Sequence, residues 1–173
     1  MRTKSILLLC MAIGCLRVHG QFQDSTSAAL SDLVTDFQAA IEAKDSLRFK
    51  ALFFHDNVPF IGIMSKPTEW SIKKDNPRFE GIAVSNCSRF IREVCTSDKS
   101  QSETVHNVRI DTDGLIATVR FDYGFAAGGV LTQWGHEAWT VVMVDGAWAI
   151  TDVVYSIRYP AIEPFPYAGS VGK

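Results

Sequence analysis

Residues 133–160 read QWGHEAWTVVMVDGAWAITDVVYSIRYP, two runs rich in β-branched and aromatic residues on either side of Asp145-Gly146. An Asp-Gly pair between such runs signals a hairpin, because the tight turn that matches strand twist needs positive φ at both central positions. Working outward, Gly128-Gly129 marks a second turn between runs at 115–127 and 130–144. Thr112-Asp113-Gly114 marks a third, after a run at 104–110. The C-terminal half is therefore expected to be an antiparallel meander of four strands ending near Arg158.

The N-terminal half reads as helical. Leu30, Leu33, Val34, Phe37 and Ile41 recur at the helical period over 28–43, with Ser27 as N-cap. Lys44-Asp45-Ser46 closes that helix and opens a short second one lined by Leu47, Ala51 and Leu52. Residues 58–64 read as a strand whose Pro59 suits an edge or a strand start. Residues 65–81 read as a loop anchored by Trp70, 82–84 as a short extended piece, 86–96 as a third helix capped by Ser85, and 96–103 as a solvated loop. Helices followed by a meander imply an α+β architecture. The expected form is a curved antiparallel sheet wrapped around the N-terminal helices, cone-shaped, with an internal pocket between the layers.

Hydrophobic content of 47% and charged content of 21% suit a folded domain. The first 20 residues stand apart. Arg2 and Lys4 precede an apolar run at 5–16, and Gly20 offers a cleavage point, the pattern of an export leader. That run is too short for a bilayer, which takes about 20 apolar residues. The protein is therefore expected to be periplasmic or secreted. Ala12-Ile13-Gly14-Cys15 offers a weaker alternative, a lipid anchor at Cys15. The domain is expected over 28–159, after a flexible polar lead-in at 21–27 and before an irregular Pro- and Gly-containing tail at 160–173.

Removing Arg2, Lys4 and Arg17 with the leader leaves 14 basic residues against 19 acidic ones. With no basic patch interleaved with aromatics, no nucleic-acid partner is expected. Cys87 and Cys95 fall on one helix, about 12 Å apart along its axis, whereas a disulfide needs Cα atoms within about 7 Å. Two thiols are expected. His55, His106 and His136 share no ligand spacing, so neither a metal nor a cofactor is expected.

Regular hairpins fix cross-strand neighbours. On that basis Arg120 opposes Glu137, Trp139 opposes Asp152 and Gln133 opposes Arg158. One face then carries Arg120, Asp122, Glu137, Ser156 and Arg158, with Trp139, Asp152 and Trp148 beside them. That face is expected to meet the helices and, with Phe37, Phe60 and Trp70, to line a ligand pocket. The other face carries Phe121, Tyr123, Trp134, His136, Tyr155 and Ile157. So apolar a face calls for cover, and a homodimer would supply it.

The stretches DFQAAIEAKDSLRFKALFFHDNVPFIG (36–62) and GHEAWTVVMVDGAWAITDVVYS (135–156) resemble the opening helices, first strand and closing hairpin of the nuclear transport factor 2-like superfamily. That superfamily includes the SnoaL-like polyketide cyclases and ketosteroid isomerase. The resemblance covers most of 28–158 and implies a cone of curved sheet around helices, often dimeric through its convex face. It speaks to fold rather than activity, because this fold hosts many functions. Ketosteroid isomerase has a tyrosine, a carboxylate base and a protonated acid where this chain has Phe37, Ile61 and Glu137. Phenylalanine cannot donate a hydrogen bond and isoleucine cannot take a proton, so isomerase chemistry of that kind is not expected.

The functional expectation is an exported binding or accessory module for a small, partly apolar ligand. One competitor is a lyase, isomerase or hydrolase with Glu137 or Asp152 as base. Another is a protein-interaction module using the convex face. The plainest reading of the charges is a structural Arg–Glu pair.

Overall fold

A computed structural model describes the backbone of residues 11–168 and the side chains of residues 25–168. The expected leader, its Cys15 alternative and the end of the tail at 169–173 lie outside the residues whose side chains are described.

Helix α1 spans Met11–Glu42. The stretch 21–27, expected to be a flexible lead-in, is helical; it holds neither the proline nor the glycine that would stop a helix. The stripe Leu30, Leu33, Val34, Phe37 and Ile41 is buried. Lys44 takes a left-handed conformation (φ 52°) that ends α1. Asp45 then caps α2 (Ser46–Lys50), its carboxylate accepting from the amides of Leu47 and Arg48. The chain continues through β1 (Pro59–Met64), α3 (Lys66–Lys73), β2 (Ile82–Asn86), α4 (Cys87–Thr96), β3 (Gln101–Thr112), β4 (Ile116–Ala127), β5 (Val130–Val144) and β6 (Ala147–Ile157).

The architecture is the expected α+β arrangement. Six strands form one curved, unclosed sheet in the order β2-β1-β6-β5-β4-β3. One junction, β1 with β6, is parallel, and the other four are antiparallel. Helices α1, α2 and α4 pack against the inner face. There Phe37 and Phe53 of the helical half meet Phe60, Trp139 and Ile150 of the sheet in one core.

Two segments differ from expectation. Residues 66–73, expected to be loop, form α3. Ser65 caps it by accepting from the Thr68 amide, and Pro67 sits in its first turn. Glu69 lies between Lys66 (2.8 Å) and Lys73 (2.5 Å), and Trp70 is turned outward, 65% exposed. The segment 101–103, expected to be solvated loop, opens β3, with Gln101 and Glu103 both buried.

Cys87 and Cys95 sit at opposite ends of α4 as free thiols. Residues 160–168 form neither helix nor strand and lie across the outer face of the sheet. Trp134 Nε1 donates to the Glu163 carbonyl at 2.7 Å, and Phe165 is buried against Trp134 and His106. Tyr167 stacks on His106 at 4.2 Å and donates to Asp122 at 2.6 Å.

Candidate functional site

Two β-bulges decide which side chains point inward. Next to the Asp145-Gly146 turn the pairing is the expected one: Met143 opposes Trp148 and Val141 opposes Ile150. The register then slips between Thr140 and Val141, and again between Phe125 and Ala126. A slip of one residue exchanges the faces of everything beyond it. Glu137 therefore stands opposite Phe121 and Tyr155, while Arg120 stands opposite Ala138.

The expected polar cluster is taken apart as a result. Arg120 is exposed on the outer face. Asp152 accepts from the Thr140 amide at 2.8 Å, which occupies it at the bulge. Ser156 accepts from the His136 amide (2.9 Å) and from Arg158 (2.8 Å), and the Arg158 guanidinium lies 5.0 Å from the Trp134 ring centre. Trp70 is on the surface, and Trp148 is core rather than pocket wall. Of the expected pocket, Phe37, Phe60 and Glu137 line a cavity, and Trp139 stands behind Glu137.

The expected subunit face is corrected for the same reason. Phe121, Tyr123 and Ile157 are buried and Tyr155 lines the interior. Trp134 and His136 do point outward, but Trp134 is covered by the chain's own tail and His136 pairs with Asp122.

The cavity measures about 30 Å³, room for about two waters. Phe37 of α1, Phe60 of β1 and Phe90 of α4 form one wall. Glu103, Tyr123, Phe125, Gln133, Glu137 and Tyr155 of β3–β6 form the other. Phe90, Phe125, Gln133 and Tyr155 are only half-buried, which places the way in on their side.

Glu103 pairs across to Phe125 and Glu137 to Phe121, so the two acids straddle Tyr123. The Gln38 side chain donates to the Glu103 carbonyl at 2.8 Å, tying this end of β3 to α1. Trp139 Nε1 donates to Glu137 Oε1 at 2.6 Å, and the indole is held by Phe37 (4.9 Å) and Phe121 (5.0 Å). Tyr123 donates to the Ser156 carbonyl at 3.0 Å. That carbonyl presses so closely on Gly135 that an added Cβ there would lie 1.9 Å from it.

Among the described residues no lysine or arginine lines the cavity. Burial pushes the Glu103 carboxyl well above the usual carboxylate range, and Glu137 pushes it further. Burial also raises Glu137 to about 7, against the lowering effect of the Trp139 hydrogen bond. Burial, with Glu137, Glu103 and Glu93 behind it, raises Tyr155 to about 12. Tyr123 is likewise raised well above a free phenol by burial and by both acids. Glu103 Oε1 is buried and finds no partner among the described residues. Near neutral pH the pair can thus present one protonated and one titrating carboxyl to the same small space.

Sequence reasoning missed Glu103 because 96–103 looked like loop. The available signal was the alternation Gln101, Glu103, Val105 leading into the strand.

No family model matches the chain, and no curated protein matches it in sequence. Solved structures do. The chain is similar to a nuclear transport factor 2-like protein of unknown function from Silicibacter pomeroyi, with 20% identity and TM-score 0.56 over 79% of this chain and 98% of that one. It is similar to a nuclear transport factor 2-like superfamily protein from Salmonella enterica, with 15% identity and TM-score 0.56 over 87% and 99%. It is also similar to a protein assigned as a scytalone dehydratase from Novosphingobium aromaticivorans, with 17% identity and TM-score 0.59 over 80% and 88%. The likeness is one of fold: this chain has the nuclear transport factor 2-like fold. Among the described residues no group of three or more His, Cys, Asp or Glu could hold a metal ion, and no helix is long and apolar enough to cross a membrane.

Proposed function

We propose that this is an exported small-ligand-binding module, with the aromatic cavity as its seat and Glu103 and Glu137 as its polar end. The observation that carries this reading is the Glu103 carboxyl, buried inside the cone, opening on the cavity and lacking a partner for one oxygen. Buried polar groups are ordinarily satisfied and buried acids ordinarily paired. Two acids facing one apolar space without a cation are a standing cost to stability, of the kind proteins keep where an occupant uses it.

The competing reading is a lyase, isomerase or hydrolase. With Asp152 turned outward and occupied, Glu137 is its remaining base, and a carboxyl raised to about 7 is suited to that task. Ligand binding takes precedence because the cavity is small and the Trp139 indole already holds Glu137 Oε1. Self-association is proposed through a different surface from the one expected. Ile61, Ile63, Ile82, Val84 and Val154 are neighbours on the outer face of β2, β1 and β6.

The test is an NMR titration of the protein with n-butanol, n-butylamine and butyrate. Saturable shifts at Phe37, Phe60, Phe90 and Phe125 from any one of them support the reading. If no probe moves those residues the interior is plain core, and Glu103→Leu with Glu137→Leu should then simply give a more stable protein.

A further inference from the structure

The geometry points to a small organic cation, an aliphatic primary ammonium, as the group this cavity receives. The inference rests on the ligand-binding reading above and names the chemistry of the ligand. Three features converge.

The first is charge. Glu103 and Glu137 reach one space from either side of Tyr123, and among the described residues no basic side chain lines it. The arginine whose charge bears on Tyr123 is Arg158, and its guanidinium is committed on the outer face to Ser156, the Trp134 ring and Glu163 at 3.6 Å. Hydrogen-bond capacity is the second. Glu103 Oε1 is an unpartnered atom on a side chain 95% buried, and an ammonium brings three donors and no acceptor. The third feature is the wall. Phe60, Phe90, Phe125 and Tyr155 surround the acids, and aromatic faces attract cations most strongly where water is excluded.

A divalent metal fits less well. It would find two carboxylates with no third His, Cys, Asp or Glu close enough to help among the described residues. A carboxylate ligand would meet two acids, and a neutral alcohol would leave both uncompensated. The volume of about 30 Å³ admits an ammonium head with about one carbon, and the remaining chain would pass out between Phe90, Phe125, Gln133 and Tyr155.

Entry of a cation favours the charged form of both acids, so binding displaces the proton that Glu137 otherwise holds. The groups that bear on this proton are Glu103, Trp139, Tyr123 and Tyr155. Affinity for the amine should therefore rise roughly tenfold from pH 6 to pH 8, following deprotonation of Glu137.

The same three probes, n-butylamine, n-butanol and butyrate, decide the matter by NMR at pH 6 and pH 8. The expected result is tighter binding of the amine by tenfold or more over the other two at pH 8, and weaker amine binding at pH 6. Glu137→Gln and Glu103→Gln should each lower amine affinity at least fivefold, and Glu137→Gln should flatten its pH dependence. The wild-type pH comparison stands by itself if either variant folds poorly. If butanol or butyrate binds as well as the amine, or if the amine binds equally at both pH values, the cation assignment is overturned while ligand binding survives. If nothing binds, both fall together.

Discussion

Glu137→Gln isolates the cost of the buried acid. Glutamine keeps the shape and an acceptor oxygen for Trp139 Nε1, so the 2.6 Å hydrogen bond has a successor. What it removes is ionisation. The wild-type carboxyl rises from 4.5 to about 7 on folding because burial disfavours its charged form. A group raised in this way stabilises the fold fully below its unfolded value, and that stabilisation is lost as pH climbs through the folded value. At 1.36 kcal/mol per pH unit, the rise amounts to about 3 kcal/mol between pH 4.5 and pH 8.

Urea unfolding of wild type and Glu137→Gln across that range reads the difference directly. The two should be close in stability at pH 4.5, and the variant should be about 3 kcal/mol more stable at pH 8. Glu103 titrates with the same sign, and loss of its charged neighbour also lowers its carboxyl. Asp113 and Asp122 are held below the usual range and act at lower pH with the opposite sign, so they drop out of the difference. Parallel stability curves from pH 4.5 to 8 would refute the reasoning, because they would mean that Glu137 ionises as freely in the fold as in the unfolded chain.

Other perturbations test the rest of the structure. Gly135→Ala drives a Cβ against the Ser156 carbonyl and should cost about 1–3 kcal/mol in chemical unfolding, as overpacking does. Phe165→Ala should cost about 3 kcal/mol and increase amide exchange around Trp134, because the tail is packed rather than loose. Trp70→Ser should change stability by no more than about 0.5 kcal/mol and leave probe binding alone, since its ring faces solvent. For self-association, sedimentation velocity should give a dimer for the wild type and a monomer for Ile63→Glu with Val154→Glu. A wild-type monomer removes the proposal.

Much of the fold was legible because it rests on local signals. The Asp145-Gly146 and Gly128-Gly129 turns place β4, β5 and β6, and the stripe from Leu30 to Ile41 marks the buried side of α1. The candidate site was legible only in part. Phe37, Phe60 and Glu137 were found, whereas Arg120, Asp152 and Arg158 were drawn in by a regular register that the strands do not keep. Ser65 and Pro67 announced α3, but the long polar stretch after them masked the signal.

The sequence by itself determined the order of the main helices and strands, though not α3, together with the hairpin turns and the chemical content of β4, β5 and β6, because those depend on residues near one another in the chain. Only the tertiary structure decided which side of the sheet each charge occupies. A β-bulge is an adjustment between strands, set by curvature and by packing against the helices, and it leaves little mark on the periodicity of either strand. Two such slips turned Arg120 outward, brought Tyr123 and Tyr155 inward, and set Glu137 beside a Glu103 that looked like loop. The chain's own tail then took the outer face where a second subunit had been expected.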